Sequence, residues 1–117
     1  MRAKPQPRHV DHPATSASLL RALFLGFVKI HVLHHASREP IYGIAIRDEL
    51  SRHGYVVSPG ILYPLLHNLE ASTYLEREDR LVEGKRRKYY RITTLGLTVL
   101  AQARTTIREL VDEVLES

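Results

Sequence analysis

Three histidines, His31, His34 and His35, stand at positions i, i+3 and i+4 of the stretch "KIHVLHHAS". On a helix they share one neighbourhood. Two imidazoles four residues apart can chelate a divalent transition metal, with a carboxylate or a second chain completing its shell. Asp112, Glu113 and Glu116 are the candidate carboxylates. The same spacing also describes a neutral polar edge on a helix. A second concentration of chemistry is Lys85, Arg86, Arg87 and Lys88. In a strand consecutive residues alternate faces, so two or three of these cations can meet phosphates at once. The third is "SPGILYPLLHNLE", residues 58–70, where Leu62, Leu65, Leu66 and Leu69 recur on one helix face. Its other side presents Ser58, Gly60, Ile61, Tyr63, Pro64, His67 and Asn68. Asn68 and His67 can hydrogen-bond base edges, and Tyr63 can reach a phosphate or stack on a sugar or thymine methyl.

Composition narrows what these groups can serve. The chain has 117 residues, 44% of them hydrophobic, and a net charge of +4. That is one domain with a modest core, and the charge favours anionic partners, nucleic acid first. Cysteine is absent, which excludes disulfides, thiolate metal sites and cysteine nucleophiles and fits a reducing cytoplasm. No run of eighteen apolar residues occurs, so no transmembrane helix and no membrane partner are expected. No nucleophile motif, phosphate-binding glycine loop or recognisable pair of catalytic carboxylates is present. An enzyme is not expected, and no cofactor is required.

Periodicity supplies the elements. Residues 1–15 hold three of the six prolines among Arg2, Lys4 and Arg8 and read as a flexible basic tail without the apolar centre of a secretory signal. A helix opens at Ser16 or Ser18 and runs to about Ala36, stopped by Pro40. A second spans Ile41 to His53 and ends on Gly54. The third is capped by Ser58 with Pro59 in its first turn. Inside it, Pro64 removes a backbone hydrogen bond and presses towards the Gly60 carbonyl. We read this as a bend that aims Tyr63 outward, while the bare first turn can approach a phosphate. "TYLEREDR" and "RKYYRITT" then form a hairpin around "LVEGK" and its turn glycine, Gly84. A last helix, capped by Thr94, runs to about Leu115 with Leu100, Ala103, Ile107, Leu110 and Val114 in a heptad seam. Three helices and a two-stranded hairpin give the order of a winged helix-turn-helix over residues 16–93, followed by the helix of 94–117. The fold class is mainly α (α+β). In that architecture the third helix enters the major groove and the hairpin is a wing along the backbone. Tyr89 and Tyr90 point to opposite faces. One belongs to the core and the other, taken as Tyr89, to the wing base beside DNA.

Three stretches carry a family resemblance: "YGIAIRDEL" (42–50), "SPGILYPLLHNLE" (58–70) and "EGKRRKYYRITTLG" (83–96). Together they resemble the PadR family of bacterial transcriptional regulators over about residues 19–115, in its short form without a large C-terminal effector domain. The resemblance implies a homodimeric winged-helix repressor bound to inverted repeats in double-stranded DNA. It implies dimerisation largely through the last helix with help from the first, which assigns Leu20, Phe24, Phe27, Leu100, Ala103, Ile107, Leu110 and Val114 to the interface. Two departures stand out. Ile61 replaces the usual threonine and cannot hydrogen-bond a base. "AST" replaces an acidic residue and glycine, so Ser72 or Thr73 must turn the chain without glycine's freedom.

The effector is open between two chemistries. His31, His34 and His35 suggest a divalent metal. Phe24 and Phe27, one turn apart, could line a pocket for a small aromatic molecule, although both also suit a plain core. Tyr42 and Gly43 are read as packing between the first two helices. A winged-helix module that docks a protein instead of DNA is the remaining alternative, and the polar, basic third helix and wing argue against it.

Overall fold

The computed structural model describes residues 13–116. In chain order its elements are α1 (Pro13–Arg38), β1 (Ile41–Tyr42), α2 (Gly43–Arg52), α3 (Pro59–Ala71), β2 (Leu75–Val82), β3 (Lys85–Ile92) and α4 (Thr94–Val114). Residues 1–12 of the expected tail lie outside the described residues, and 13–15 already belong to α1. Pro13 suits a first helical position, where its fixed φ and missing N–H carry no penalty. At the other end α1 continues past Ala36 to Arg38, two residues short of Pro40.

The wing is part of a three-stranded antiparallel sheet of order β1-β3-β2, not an isolated hairpin. Ile41 and Tyr42, expected to begin the second helix, instead pair with Tyr90 and Tyr89 of β3. Tyr42 is extended, with φ −125° and ψ 159°, and serves as the N-cap position of α2. The β2–β3 register runs from Leu75↔Ile92 to Val82↔Lys85. Only Glu83 and Gly84 are left for the turn, narrower than the expected "LVEGK" tip. Their φ values are 52° and 78°, the two-residue turn whose twist matches that of the paired strands.

One core joins the layers. Val28, Val32, Leu33 and Ala36 of α1 meet Ile46 and Leu50 of α2, the four leucines of α3, Leu75, Tyr90 and Leu100. Fully burying a leucine contributes roughly 2 kcal/mol, so the α3 stripe anchors that helix firmly. Leu100 is 1% exposed within a single chain, which removes it from the expected dimer seam. Its heptad spacing is served by the core instead. Ala103 and Ile107 are half-buried, and Leu110 and Val114 are exposed. Ala17–Arg38 is long and apolar enough to cross a membrane by length and composition, so the absence of an eighteen-residue apolar run does not exclude it. The buried residues of its C-terminal half, however, form the centre of this core.

Two junctions carry unusual backbone. After α3, Thr73 N–H bonds the Glu70 carbonyl at 2.9 Å and Tyr74 N–H the Leu69 carbonyl at 3.0 Å, closing a Schellman motif. Thr73 has φ 64°, the left-handed position usually given to glycine and strained for a β-branched residue. The α4 cap is Thr93, one residue earlier than expected: its Oγ1 accepts from Gly96 N–H at 3.0 Å and donates to the Thr73 carbonyl at 2.5 Å. A hydroxyl at Thr94 would miss that N–H by one position. A Cβ on Gly96 would sit 2.3 Å from the Tyr74 carbonyl oxygen, so α4 and the entry to β2 meet backbone to backbone. Gly96→Ala should therefore destabilise the chain by about 3 kcal/mol in urea unfolding, since neither backbone can yield. Thr73→Gly should raise stability by about 1 kcal/mol in the same assay by releasing the left-handed strain.

Candidate nucleic-acid interface

Burial of the four leucines fixes which side of α3 faces out. Ser58, Gly60, Tyr63, Pro64, His67 and Asn68 are exposed, and α3 runs as one helix through Pro64. Ile61 departs from expectation: it is half-buried and packs against the core, because its spacing from Leu65 places it at the edge of the leucine stripe. Ser58 holds the N-cap position through its backbone, its carbonyl accepting from Ile61 and Leu62 N–H at 3.0 and 2.9 Å. Its hydroxyl makes no cap hydrogen bond and remains available at the helix's positive end. Around Gly60, an added Cβ would meet only Ser58 Oγ, at 3.9 Å. Nothing among the described residues requires a glycine there.

Tyr63 is held from behind. A Cβ on Gly43 would lie 2.8 Å from both Cε1 and Oη of Tyr63, so the bare first residue of α2 is the seat of that ring. Gly43 thus packs against α3 rather than between the first two helices, as the sequence suggested. Tyr42 likewise turns to the wing, where its ring lies 5.2 Å from Tyr89 and beneath the Arg87 guanidinium at 4.8 Å. Arg80 covers Tyr89 at 4.4 Å. Tyr89 is therefore half-buried in a cation–aromatic stack at the wing base, and Tyr90 is 2% exposed. Burial raises the Tyr90 phenol above its usual pKa.

Charge on the wing is divided by strand. Glu78 bonds Arg80 at 2.7 Å and also bonds Arg91. The Arg80 hydrogen bond, the largest cause, holds its carboxyl below the usual range. Asp79 pairs with Arg77 at 3.7 Å, and Glu76 with Arg91 at 4.0 Å. Lys85, Arg86, Arg87 and Lys88 have no carboxylate within 4.0 Å among the described residues. They line an open groove of about 550 Å³ between β3 and the α2–α3 face, together with Gly43, Tyr63 and His67. A cation stripe without carboxylate partners, opposite a helix face that carries hydrogen-bonding side chains, is suited to a polyanion with readable edges.

The histidines assemble differently from their sequence spacing. His31 and His35 meet His53, the C-cap residue of α2, with ligand atoms of all three within 4.8 Å of one another. His34 turns away to Arg104 of α4, whose Nη2 is 3.2 Å from its Nδ1. The carboxylate beside the cluster is Glu49 of α2, its Oε1 3.5 Å from His53 Nε2 and 3.9 Å from His35 Nε2. The expected Asp112 lies eight residues beyond Arg104, about 12 Å further along α4 by helical rise. Burial first, then the neighbouring imidazoles of His53, His35 and His34, lower the pKa of His31. Burial first, then His35, does the same for His34. Phe24 packs on Tyr55 with ring centroids 5.4 Å apart and leans on the core, while Phe27 is more exposed.

A profile of the Transcriptional regulator PadR-like family matches residues 32–102, the stretch from the buried half of α1 through α3 and the wing into α4. The chain belongs to the PadR-like family of transcriptional regulators. It is 49% identical over 88 residues to the transcriptional regulator Rv3488 of Mycobacterium tuberculosis, covering 75% of this chain and 82% of that protein. Among solved structures it is similar to a PadR-like transcription factor from Bacteroides fragilis, with TM-score 0.73 and 28% identity over 87% of this chain and 97% of that one. It is also similar to a PadR family regulator from Eggerthella lenta, with TM-score 0.70 and 37% identity over 86% of each chain. The fold is thus that of PadR-like winged-helix regulators. Sequence reasoning missed the Gly43 seat; the signal was a glycine opening a helix without a turn to require it. In this PadR-like protein, Gly43→Ala should push Tyr63 off its seat and weaken duplex binding about tenfold by fluorescence anisotropy. Its unfolding midpoint should hold or rise, since alanine is the better helix former by about 1 kcal/mol.

Proposed function

We propose that this chain is a cytoplasmic, homodimeric repressor that binds an inverted-repeat operator through α3 and the wing and is released by an effector. The observation that supports the DNA contact is the groove that four cations, without a carboxylate partner among the described residues, share with Tyr63 and His67. Tyr63, His67 and Asn68 read the major groove, and Lys85 to Lys88 clamp phosphates on either side. The Ser58 hydroxyl and the bare turn at Gly60 receive a phosphate at the N-terminus of α3. In a dimer the two α3 helices enter successive major grooves about 34 Å apart.

Support for the dimer comes from apolar surface at the free ends of two helices. Leu19, Leu20, Leu23 and Phe27 of α1 are exposed, as are Leu110 and Val114 of α4 and Leu115 beyond it. Gly26 of α1, where an added Cβ would meet nothing within 4 Å, leaves room for a second helix to approach. The half-buried Ala103 and Ile107 extend the same seam. A small effector, aromatic or metallic, acts at the α1 side of this dimer. The basic groove favours nucleic acid over a protein partner, which would call for an apolar or acidic face.

Two variants separate positioning from readout. Arg86→Ala should weaken operator and random duplex about equally and reduce the salt slope by about one. Asn68→Ala should relax sequence preference at a cost of roughly 1–3 kcal/mol while leaving the salt slope in place. An unchanged operator preference in Asn68→Ala would refute the assignment of base readout.

A further inference from the structure

We propose that His31, His35, His53 and Glu49 form a binding site for a divalent transition metal that clamps α1 to α2. Two i, i+4 pairs face each other: His31 and His35 on α1, Glu49 and His53 at the end of α2. The three imidazoles present ligand atoms within 4.8 Å of one another. Tetrahedral binding at Zn–N distances near 2.0 Å asks for ligand atoms about 3.3 Å apart. In the proposed site, side-chain rotation supplies the remaining approach.

Two further observations point to a missing partner. His35 Nε2 is buried and has no hydrogen-bond partner among the described residues, although buried ring nitrogens are ordinarily satisfied. Glu49 is already oriented: Arg52 holds its Oε2, which leaves Oε1 facing His53 and His35. These side chains open on a common pocket of about 420 Å³, so an ion has an entry path. Three neutral nitrogen donors and one carboxylate suit Zn(II), Co(II) or Ni(II) over Mg(II) or Ca(II), which prefer all-oxygen shells. His34, adjacent in sequence, is directed to Arg104 and is not a ligand. The test reads the metal alone, so its outcome does not depend on DNA binding.

The test is titration of the full-length, tag-free protein with Co(II), followed by visible absorption, with Zn(II) as competitor. The expected result is one ion per chain with the intense bands of low-coordinate Co(II), displaced by Zn(II). His53→Gln, at an exposed helix end, and Glu49→Gln should each weaken binding by about tenfold or more. His34→Gln and a His9→Gln/His12→Gln double variant should bind as the parent does. Far-UV circular dichroism checks that each variant is folded; should His53→Gln not fold, Glu49→Gln carries the test. No Co(II) spectrum, binding unchanged in both ligand variants, or loss of binding in the His9/His12 variant would overturn the proposal.

Discussion

Leu62, Leu65, Leu66 and Leu69 must leave water together, and a helix can satisfy all four only by turning one side of α3 to the core. Everything outward on that helix is set by this constraint. Tyr63, His67 and Asn68 have no choice of face, and Pro64 is tolerated because it falls on the exposed side. The remaining freedom of Tyr63 is removed by Gly43, whose bare Cα lets the ring lie against the start of α2. A side chain pre-positioned in this way loses less entropy on meeting a ligand than a free one. Gly43 and Gly60 thus divide their roles: Gly43 serves an internal contact, whereas nothing among the described residues accounts for Gly60.

The wing obeys an electrostatic version of the same logic. Acidic residues on β2 are matched by Arg77, Arg80 and Arg91, and the cations of β3 from Lys85 to Lys88 are left without carboxylates among the described residues. The field of the groove is consequently positive although the wing as a whole is mixed. β1 gives this arrangement its rigidity. Through Ile41↔Tyr90 and Tyr42↔Tyr89 it joins the start of α2 to β3, so the seat of Tyr63 and the cation stripe share one frame. The Tyr42, Tyr89, Arg87 and Arg80 stack reinforces that joint on the opposite side from the core.

Sequence periodicity carried the parts of this fold that repeat over many residues: the α3 stripe, the hairpin, the long last helix and the wing cations. What it did not carry depends on single positions or on packing. β1 has two residues, too few for any alternation to register. Thr93 and Thr94 are equivalent as caps until the Gly96 approach to Tyr74 chooses between them. Leu100 fits a heptad seam and a core equally well, and the burial of α4 on α1 and β3 decides for the core. The histidines illustrate the point most directly. Their spacing on α1 named His31 and His35 correctly as neighbours, but only the α1–α2 contact brings in His53 and Glu49 and sends His34 elsewhere. A second i, i+4 pair, Glu49 and His53, was visible in the chain and would have been the cue.

The central claim, that this helix and wing bind duplex DNA by a cationic clamp and read its sequence, is tested most directly by one titration. A labelled duplex from the region upstream of the chain's own gene is titrated by fluorescence anisotropy across a salt series, beside a scrambled duplex of equal composition. Affinity that falls linearly with salt on logarithmic axes, with a slope of several ions, and that favours the upstream duplex is the result this account predicts. Binding indifferent to salt, or no binding to either duplex at low salt, would contradict it.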